Sequence, residues 1–486
     1  MRIRAIAMTM TASLALAGCN MAPKYVRPAS PVPASAPTGP AYPAADAATT
    51  AIVPADTAWR EFFTDNGLRE VIALALANNR DLRVALANVA QARAQYRVQR
   101  ADILPTLGGN GSATYQKGQG ALLQGGAGGI GGGVGGGAVG GGSDRIDIYT
   151  ANLGISAWEI DLFGRIRNLT EAAQQQYFAA GENRDAAQTA LIAEVATAYL
   201  TMAADQDRLR IARDTAQAFD QTLKITRARF EAGISSDLEV RQAQTSYDQA
   251  RSDIAEATTL VAQDQNALNL LAGTTVPAAL LPGGLPEAGV TVENLPADLP
   301  SDVLLRRPDI AAAESRLRAA NANIGAARAA FFPRISLTAA LGTMSLGLSN
   351  LFGSGSDYWS VAPSASLPIF DGGRNAGNLR YAEATRDAMV AEYERAVQTG
   401  FREAADALAR RGTIDDQVEA QTSLREAAQA SYRLSEARFR SGIDPFLTTL
   451  DSQRSFYGAE QSLLATRLAR ESNAVELYRA LGGGLR

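Results

Sequence analysis

Apolar residues recur along much of the chain at alternating intervals of three and four positions. Between Leu191 and Phe230 only Asp205 and Thr226 interrupt this apolar stripe. A second stripe follows at intervals of seven, through Val240, Tyr247, Ile254, Val261 and Leu268. A period of 3.5 residues places apolar side chains in a narrow seam between paired helices. The pattern predicts long coiled-coil helices, and an ordinary helical bundle would explain the seams alone equally well.

Four short segments instead alternate apolar and polar residues at every second position. They cover about residues 103–116, 146–159, 333–345 and 358–370. The alternating run within each is about ten residues long, which is the length of a tilted membrane-crossing β-strand. A soluble, half-buried sheet is the alternative. Four strands are too few to close a barrel, and lipid does not tolerate an open sheet edge, so a membrane location requires several chains to pool their strands.

The chain contains two copies of one unit. A shift of 209 positions superposes residues 165–273 on 374–482, and a shift of 228 superposes the segments before them. The surplus in the first copy coincides with Gly118–Gly142, where 15 of 25 residues are glycine, and we interpret this tract as an inserted outer loop. We therefore divide the body into a first repeat at 61–273, a Pro-rich linker at 274–300 and a second repeat at 301–486.

The N-terminus has the features of an export signal. Arg2 and Arg4 precede a short apolar run that ends in Leu16-Ala17-Gly18-Cys19, a sequence that resembles a lipobox. We expect residues 1–18 to be a lipoprotein signal peptide and Cys19 to carry acyl chains such as palmitate. An ordinary secretory signal is the alternative. Residues 19–60 are rich in proline and alanine and predict an extended tether.

Composition excludes several classes of function. The chain has no histidine, one cysteine and a net charge of −4. Histidine-based and thiol-based catalysis, a cysteine zinc site and a nucleic-acid partner are therefore not expected. A hydrolase that uses Asp161 or Asp371 is the enzymatic alternative, but nothing in the sequence pairs these carboxylates. We expect no enzymatic activity, no metal site and no cofactor other than the covalent lipid.

Several motifs resemble those of TolC-type outer-membrane efflux proteins. The turns Arg229-Phe230-Glu231-Ala232-Gly233-Ile234 and Arg438-Phe439-Arg440-Ser441-Gly442-Ile443 are two of them. The segments Gly442–Arg454 and Leu304–Ile310 are similar to the NodT-type lipoprotein branch, which serves resistance–nodulation–division pumps. The resemblance implies a mostly α fold with a small membrane β part. It would be a TolC-like trimeric α/β-barrel, with four strands and several long coiled-coil helices per chain, in the outer membrane of a Gram-negative bacterium.

The resemblance also implies three groups of site residues. The periplasmic tip, where an adaptor protein docks, comprises Gly233, Ile234, Gly442, Ile443 and Asp444. The pore constriction comprises Leu447, Asp451 and Arg454, and a ring of three aspartates in a narrow pore would favour cations. The alternative, which the sequence alone favours, is that Asp451 is a solvated charge on a helix. A candidate latch that holds the tip shut comprises Asp237, Glu239, Arg438 and Arg440. The family usually has polar latch residues at this turn, whereas Phe439 has no hydroxyl group.

The function that follows is passive export of drugs or toxic compounds through a channel. The expected partners are two further copies in a homotrimer, a periplasmic adaptor, an inner-membrane resistance–nodulation–division pump and outer-membrane lipid. Metal-ion efflux and type I secretion are alternatives within the channel class. A non-channel periplasmic coiled-coil lipoprotein is a further alternative, although it would have no use for four alternating strands.

Overall fold

The computed structural model describes residues 20–42, 57–117, 145–287, 289–292 and 301–484. The first half contains α1 (Trp59–Phe62), α2 (Asn66–Asn78), α3 (Arg80–Ala101), β1 (Leu107–Lys117), β2 (Arg145–Ile160), α4 (Arg165–Glu231) and α5 (Asp237–Ala272). The second half contains α6 (Pro308–Ala329), β3 (Arg334–Ser345), β4 (Asp357–Ser366), α7 (Arg374–Arg440) and α8 (Phe446–Ala480). Short 3₁₀ turns lie between α5 and α6 and between β3 and β4.

The two copies of the repeat fold into the same elements. Helix α4 has 67 residues and so does α7, and a shift of 209 positions maps both ends of α4 onto the ends of α7. A shift of 228 positions maps α3 onto α6 in the same way. Each long helix is followed by a five-residue turn and a second helix. We call α4–α5 the first hairpin and α7–α8 the second hairpin.

The four strands form one antiparallel sheet in the order β1-β2-β3-β4. The mostly helical fold with a small four-stranded sheet confirms the predicted fold class. One irregularity was not predicted, since the register of β2 against β3 shifts between Ile155 and Trp158. Ala157 lies at this bulge with a φ of 47°, which is rare for a residue other than glycine.

Contacts divide the chain into two compact units, and each unit draws segments from both repeats. One unit contains Ala90–Phe178 and Ser315–Val390, which include the whole sheet. In this unit α4 and α6 contact each other through small side chains: Ala172, Ala319 and Ala322 form a buried cluster. The other unit contains Pro28–Val89, Ala179–Glu314 and Ala391–Arg486. Its core includes an aromatic cluster of Phe62, Phe63 and Tyr478. The distances between their ring centroids are 4.7 to 5.5 Å.

The segment predicted as a tether is docked onto the folded body where the structure describes it. Asn321 donates to the carbonyl of Pro23 at 2.8 Å, and the guanidinium of Arg318 lies over the Tyr25 ring at 5.0 Å. Further along, the hydroxyl of Ser301 donates to the carbonyl of Pro33 at 2.5 Å. This segment therefore follows the body instead of extending away from it.

Several predictions fall outside the described residues. They are the signal peptide, the lipid site at Cys19, the glycine-rich tract 118–142, and parts of the tether and of the Pro-rich linker. Among the helices that the structure does describe, none is both long enough and apolar enough to cross a membrane.

Candidate functional site

One face of the sheet is apolar and open to its surroundings in the single chain. Register places Leu153 opposite Leu341, and Leu341 opposite Trp359, so that the three side chains form a row across three strands. Their side chains are 58%, 67% and 74% exposed, respectively. An exposed apolar row of this size on a sheet needs a partner other than water. The predicted alternation of the strands thus produces one continuous apolar face.

The opposite face of the same sheet is polar. Hydroxyl pairs connect neighbouring strands, with Ser112 and Thr150 at 2.7 Å and Ser336 and Ser364 at 2.7 Å. These side chains alternate with the apolar residues along each strand, so the sheet separates an apolar side from a side that can be wetted. This arrangement suits a wall between lipid and an aqueous pore.

The two hairpin turns have the same backbone geometry. Gly233 and Gly442 have φ values of +75° and +74°, a conformation that glycine adopts without strain. The amide of Ile234 donates to the carbonyl of Arg229 at 2.8 Å, and the amide of Gly233 donates to that of Phe230 at 2.8 Å. The second turn repeats both bonds. This is the Schellman helix end, which confirms that these glycines permit the reversal.

Each turn exposes two apolar side chains. Ile234 and Ile443 directly follow the glycines, and Leu238 and Leu447 come one helical turn later. All four are more than half exposed, from 51% for Leu447 to 67% for Ile234. The Schellman bonds hold both isoleucines at fixed positions, so the two turns expose matching apolar side chains.

The predicted latch residues pair differently within the chain. Arg438 donates two hydrogen bonds to Asp444, at 2.6 and 2.8 Å, inside the second turn. Its guanidinium holds the pKa of the Asp444 carboxyl below its usual range. Arg440 pairs with Glu436 one helical turn earlier, and Asp237 pairs with Arg241 one turn later. Asp237, Arg438 and Arg440 thus form local pairs that need no other element, and the latch between the two turns stays a prediction.

The predicted constriction residues share one side of α8. Leu447, Asp451 and Arg454 are spaced by four and three positions and are all exposed. Phe446 and Leu450 lie on the other side of the helix and are fully buried. They join a cluster with Phe219, Leu223 and Val240 of the first hairpin. The apolar seam therefore orients α8 so that Leu447 and Asp451 point away from the core.

Two polar contacts tie the second hairpin to the first. Arg454 donates through Nε and Nη2 to the hydroxyl of Ser246, at 3.1 and 2.9 Å, and Ser246 is buried. Three residues further along α8, the hydroxyl of Tyr457 donates to Asp253 at 2.8 Å. Burial and this bond raise the pKa of the Tyr457 hydroxyl, so it stays protonated. The sequence had placed Arg454 at the constriction without identifying a partner.

Phe439 takes part in the same contact between the hairpins. Its side chain is buried and packs on Phe446, with 5.6 Å between ring centroids. The guanidinium of Arg229 lies over its ring at 4.8 Å. An aromatic ring thus occupies the position where the family resemblance had suggested a polar latch.

A family model described as outer membrane efflux protein matches residues 71–274 and 299–483, one segment in each copy of the repeat. The chain belongs to this family. The match confirms the resemblance that the turn motifs indicated, together with the outer-membrane location and the role in efflux.

Known relatives align with nearly the whole chain. The toluene efflux pump outer membrane protein TtgC of Pseudomonas putida is 44% identical over 469 residues, which are 96% of this chain and 93% of TtgC. Outer membrane protein OprJ of Pseudomonas aeruginosa is 40% identical and covers 97% of this chain, with 94% of OprJ aligned. The open-state MtrE outer membrane channel of Neisseria gonorrhoeae superposes with a TM-score of 0.83 at 37% identity, over 96% of this chain and 99% of MtrE.

The segment Leu304–Ile310, which in the sequence indicated only the family, has a structural role. Arg307, from the segment Leu304–Ile310, is buried and donates to both carboxylate oxygens of Asp309, at 3.0 and 2.7 Å. It also donates to Glu403 of α7 at 2.9 Å and to the carbonyl of Ala480 at 2.7 Å. Burial opposes the charge of Arg307, but these acids outweigh it and raise its pKa. Arg307 thus fixes the start of α6 to both helices of the second hairpin.

Proposed function

We propose that three copies of this chain form the outer-membrane channel of a tripartite efflux pump, through which small toxic molecules leave passively. The observation that carries this proposal is the amphipathic sheet. Its apolar row suits lipid and its hydroxyl-bearing face suits water. The described sheet ends at β1 and β4, and joining these edges between copies leaves no unpaired edge in the membrane.

The substrates are aromatic solvents and antibiotics. Support comes from the names of relatives, which include a toluene efflux pump protein and an antibiotic efflux pump protein, both 44% identical to this chain. The chain supplies the duct and an inner-membrane resistance–nodulation–division pump supplies the energy. Lipid on Cys19 anchors each copy, because several acyl chains on one cysteine give durable membrane attachment.

The two turns are the docking site for a periplasmic adaptor. Gly233, Ile234, Gly442, Ile443 and Asp444 form this surface. The exposed isoleucines provide apolar contacts, and the Arg438–Asp444 pair keeps the second turn in shape. In a trimer the surface is repeated three times, so each adaptor contact is multiplied around the ring.

Leu447 and Asp451 line the constriction. Both are exposed on α8 and point away from the apolar core of the hairpins. Three copies of Asp451 around a narrow pore concentrate negative charge, which favours the passage of cations. Arg454 lies one turn further along, where its bonds to Ser246 hold the two hairpins of one chain together.

Reconstitution tests the proposal directly. The mature chain should run as a trimer in native mass spectrometry and should conduct ions in planar bilayers with a preference for cations. Asp451→Ala should weaken that preference, measured as the reversal potential in a salt gradient. Asp248→Ala is the matched control, because Asp248 is exposed on α5 outside the constriction. A monomer without conductance would refute the channel, and an unchanged reversal potential in Asp451→Ala would remove Asp451 from the constriction.

A further inference from the structure

A cleft of about 610 Å³ lies in the unit that contains the sheet. The N-terminal segment from Asn20 to Tyr25 forms one wall, and the first turns of α4 and the middle of α6 form the others. The bond from Asn321 to the carbonyl of Pro23 and the stacking of Arg318 on Tyr25 fix that wall in place. The volume is in the range of small-molecule sites.

The lining of the cleft carries more positive than negative charge. Lys24, Arg167 and Arg318 are its cations, and Glu171 is its single carboxylate. Gln175 lines the same cleft and is 9% exposed. Its amide nitrogen donates to Glu171 at 2.8 Å, whereas its carbonyl oxygen is buried and accepts no hydrogen bond within the described residues.

The cleft begins where the strands end. Asp161, which directly follows β2, accepts hydrogen bonds from the Arg167 amide at 2.8 Å and from the Arg167 Nε at 3.3 Å, so this carboxylate offsets part of the positive charge of Arg167. Phe163 and Phe332 stack at 4.7 Å between ring centroids, just before α4 and just before β3. Aromatic side chains at strand ends are typical of the membrane–water boundary. On the proposed function, on which this inference rests, the cleft therefore lies at the level of lipid head groups.

We propose that this cleft binds the head group of a zwitterionic phospholipid. The phosphate lies against Lys24, Arg167 and Arg318, because guanidinium and ammonium groups form strong charge-assisted hydrogen bonds to phosphate. The ammonium group of the lipid lies against Glu171. Apolar atoms of Pro23 and Tyr25 contact the glycerol end. A bound lipid would thus join the N-terminal segment, α4 and α6 at the membrane surface.

Short-chain lipids provide the test. Dihexanoyl phosphatidylethanolamine, dihexanoyl phosphatidylglycerol and inorganic phosphate are titrated against the full-length protein and followed by native mass spectrometry. Arg318→Gln should weaken binding of both lipids about tenfold or more, as expected for the loss of a charged hydrogen bond. Glu171→Gln should weaken the ethanolamine lipid and leave the glycerol lipid unchanged. Arg328→Gln on the same helix is the control, since Arg328 pairs with Glu383 outside the lining.

Each outcome decides the proposal. Equal lipid binding by the wild type and Arg318→Gln, with both folded as judged by circular dichroism, would overturn it. Inorganic phosphate that binds as tightly as the lipids would assign the cleft to a free anion. A glycerol lipid that binds as tightly as the ethanolamine lipid would refute the role of Glu171. Conductance is measured on the same samples. A wild-type protein that does not conduct ions would refute the channel, whereas the lipid titrations would still decide whether the cleft binds a head group.

Discussion

Arg454 and Ser246 join the two repeats through a pair of hydrogen bonds at 2.9 and 3.1 Å, from the guanidinium on α8 to the hydroxyl on α5. The two residues are 208 positions apart in sequence, and their bonds connect the second helix of one hairpin to the second helix of the other. Because Ser246 is buried, the hydroxyl end of these bonds is shielded from competing water, and we expect the bonds to limit how far the hairpins separate.

Loosening that contact should widen the channel. Arg454→Gln and Ser246→Ala should each raise single-channel conductance in planar bilayers, because each removes the same connection between the hairpins. The double variant should behave like either single variant, since the two residues act as a pair. Arg241→Gln is the control, as its exposed pair with Asp237 lies within one helix. Additive increases in the double variant would contradict a shared bond.

Glycine at the second turn should be required for its conformation. Gly442→Ala should cost about 1–2 kcal/mol at this turn, because alanine is strained at a positive φ and the added methyl group meets no atom within 4 Å that could compensate. Hydrogen–deuterium exchange of the turn amides should then become faster. Gly458→Ala also meets no atom within 4 Å but lies inside α8, so it should be stabilising by about 0.5–1 kcal/mol. Stability changes of opposite sign would show that backbone strain at the positive φ, and not steric crowding by the added methyl group, causes the loss in Gly442→Ala.

Removing the buried cation at the start of α6 should destabilise the second hairpin strongly. Arg307→Met leaves Glu403 and the Ala480 carbonyl without their buried donor, which typically costs about 3–5 kcal/mol. Chemical unfolding should show a lower midpoint. Arg479→Gln is the comparison, because Arg479 contacts the same Glu403 at 3.4 Å from a more exposed position and such pairs contribute about 0–1 kcal/mol. Equal effects of the two substitutions would rule out a central role for Arg307.

A pair of acids in the first hairpin should make stability depend on pH. Burial and the neighbouring Asp205 raise the pKa of Asp264 from 3.8 to about 6, and Arg208, which pairs with Asp205 at 2.8 Å, opposes the shift only in part. The folded state therefore binds the proton more tightly than the unfolded state. Stability should fall as the pH rises from about 4 through about 6.

Asp264→Asn tests this dependence. The second repeat has Ile414 and Asn473 at the equivalent positions, and both are buried, so the fold accepts neutral residues there. Thermal melts should show the variant more stable than the wild type at pH 7.5, with the difference vanishing near pH 4. The exposed Asp248→Asn serves as control. A difference that is constant across this range would contradict the raised pKa.

Much of the architecture could be predicted because it depends on local periodicity. The heptad stripes, the duplication and the alternating segments indicated long helices and four strands, and the shift of 209 positions found in the sequence reappears in the bounds of α4 and α7. The glycines of the two turns were predictable for the same reason, since a tight reversal of the backbone requires a positive φ.

The sequence alone thus determined which segments are helix, strand or turn, and with them the family, because these features follow from residues close together in the chain. The tertiary structure decided which side chains meet. It directed Arg438 to Asp444, Arg454 to Ser246, and Arg307 to Glu403. Such pairings depend on how helices distant in sequence are rotated against one another. The apolar seams and the close contacts at alanines set that rotation, and no local pattern records it.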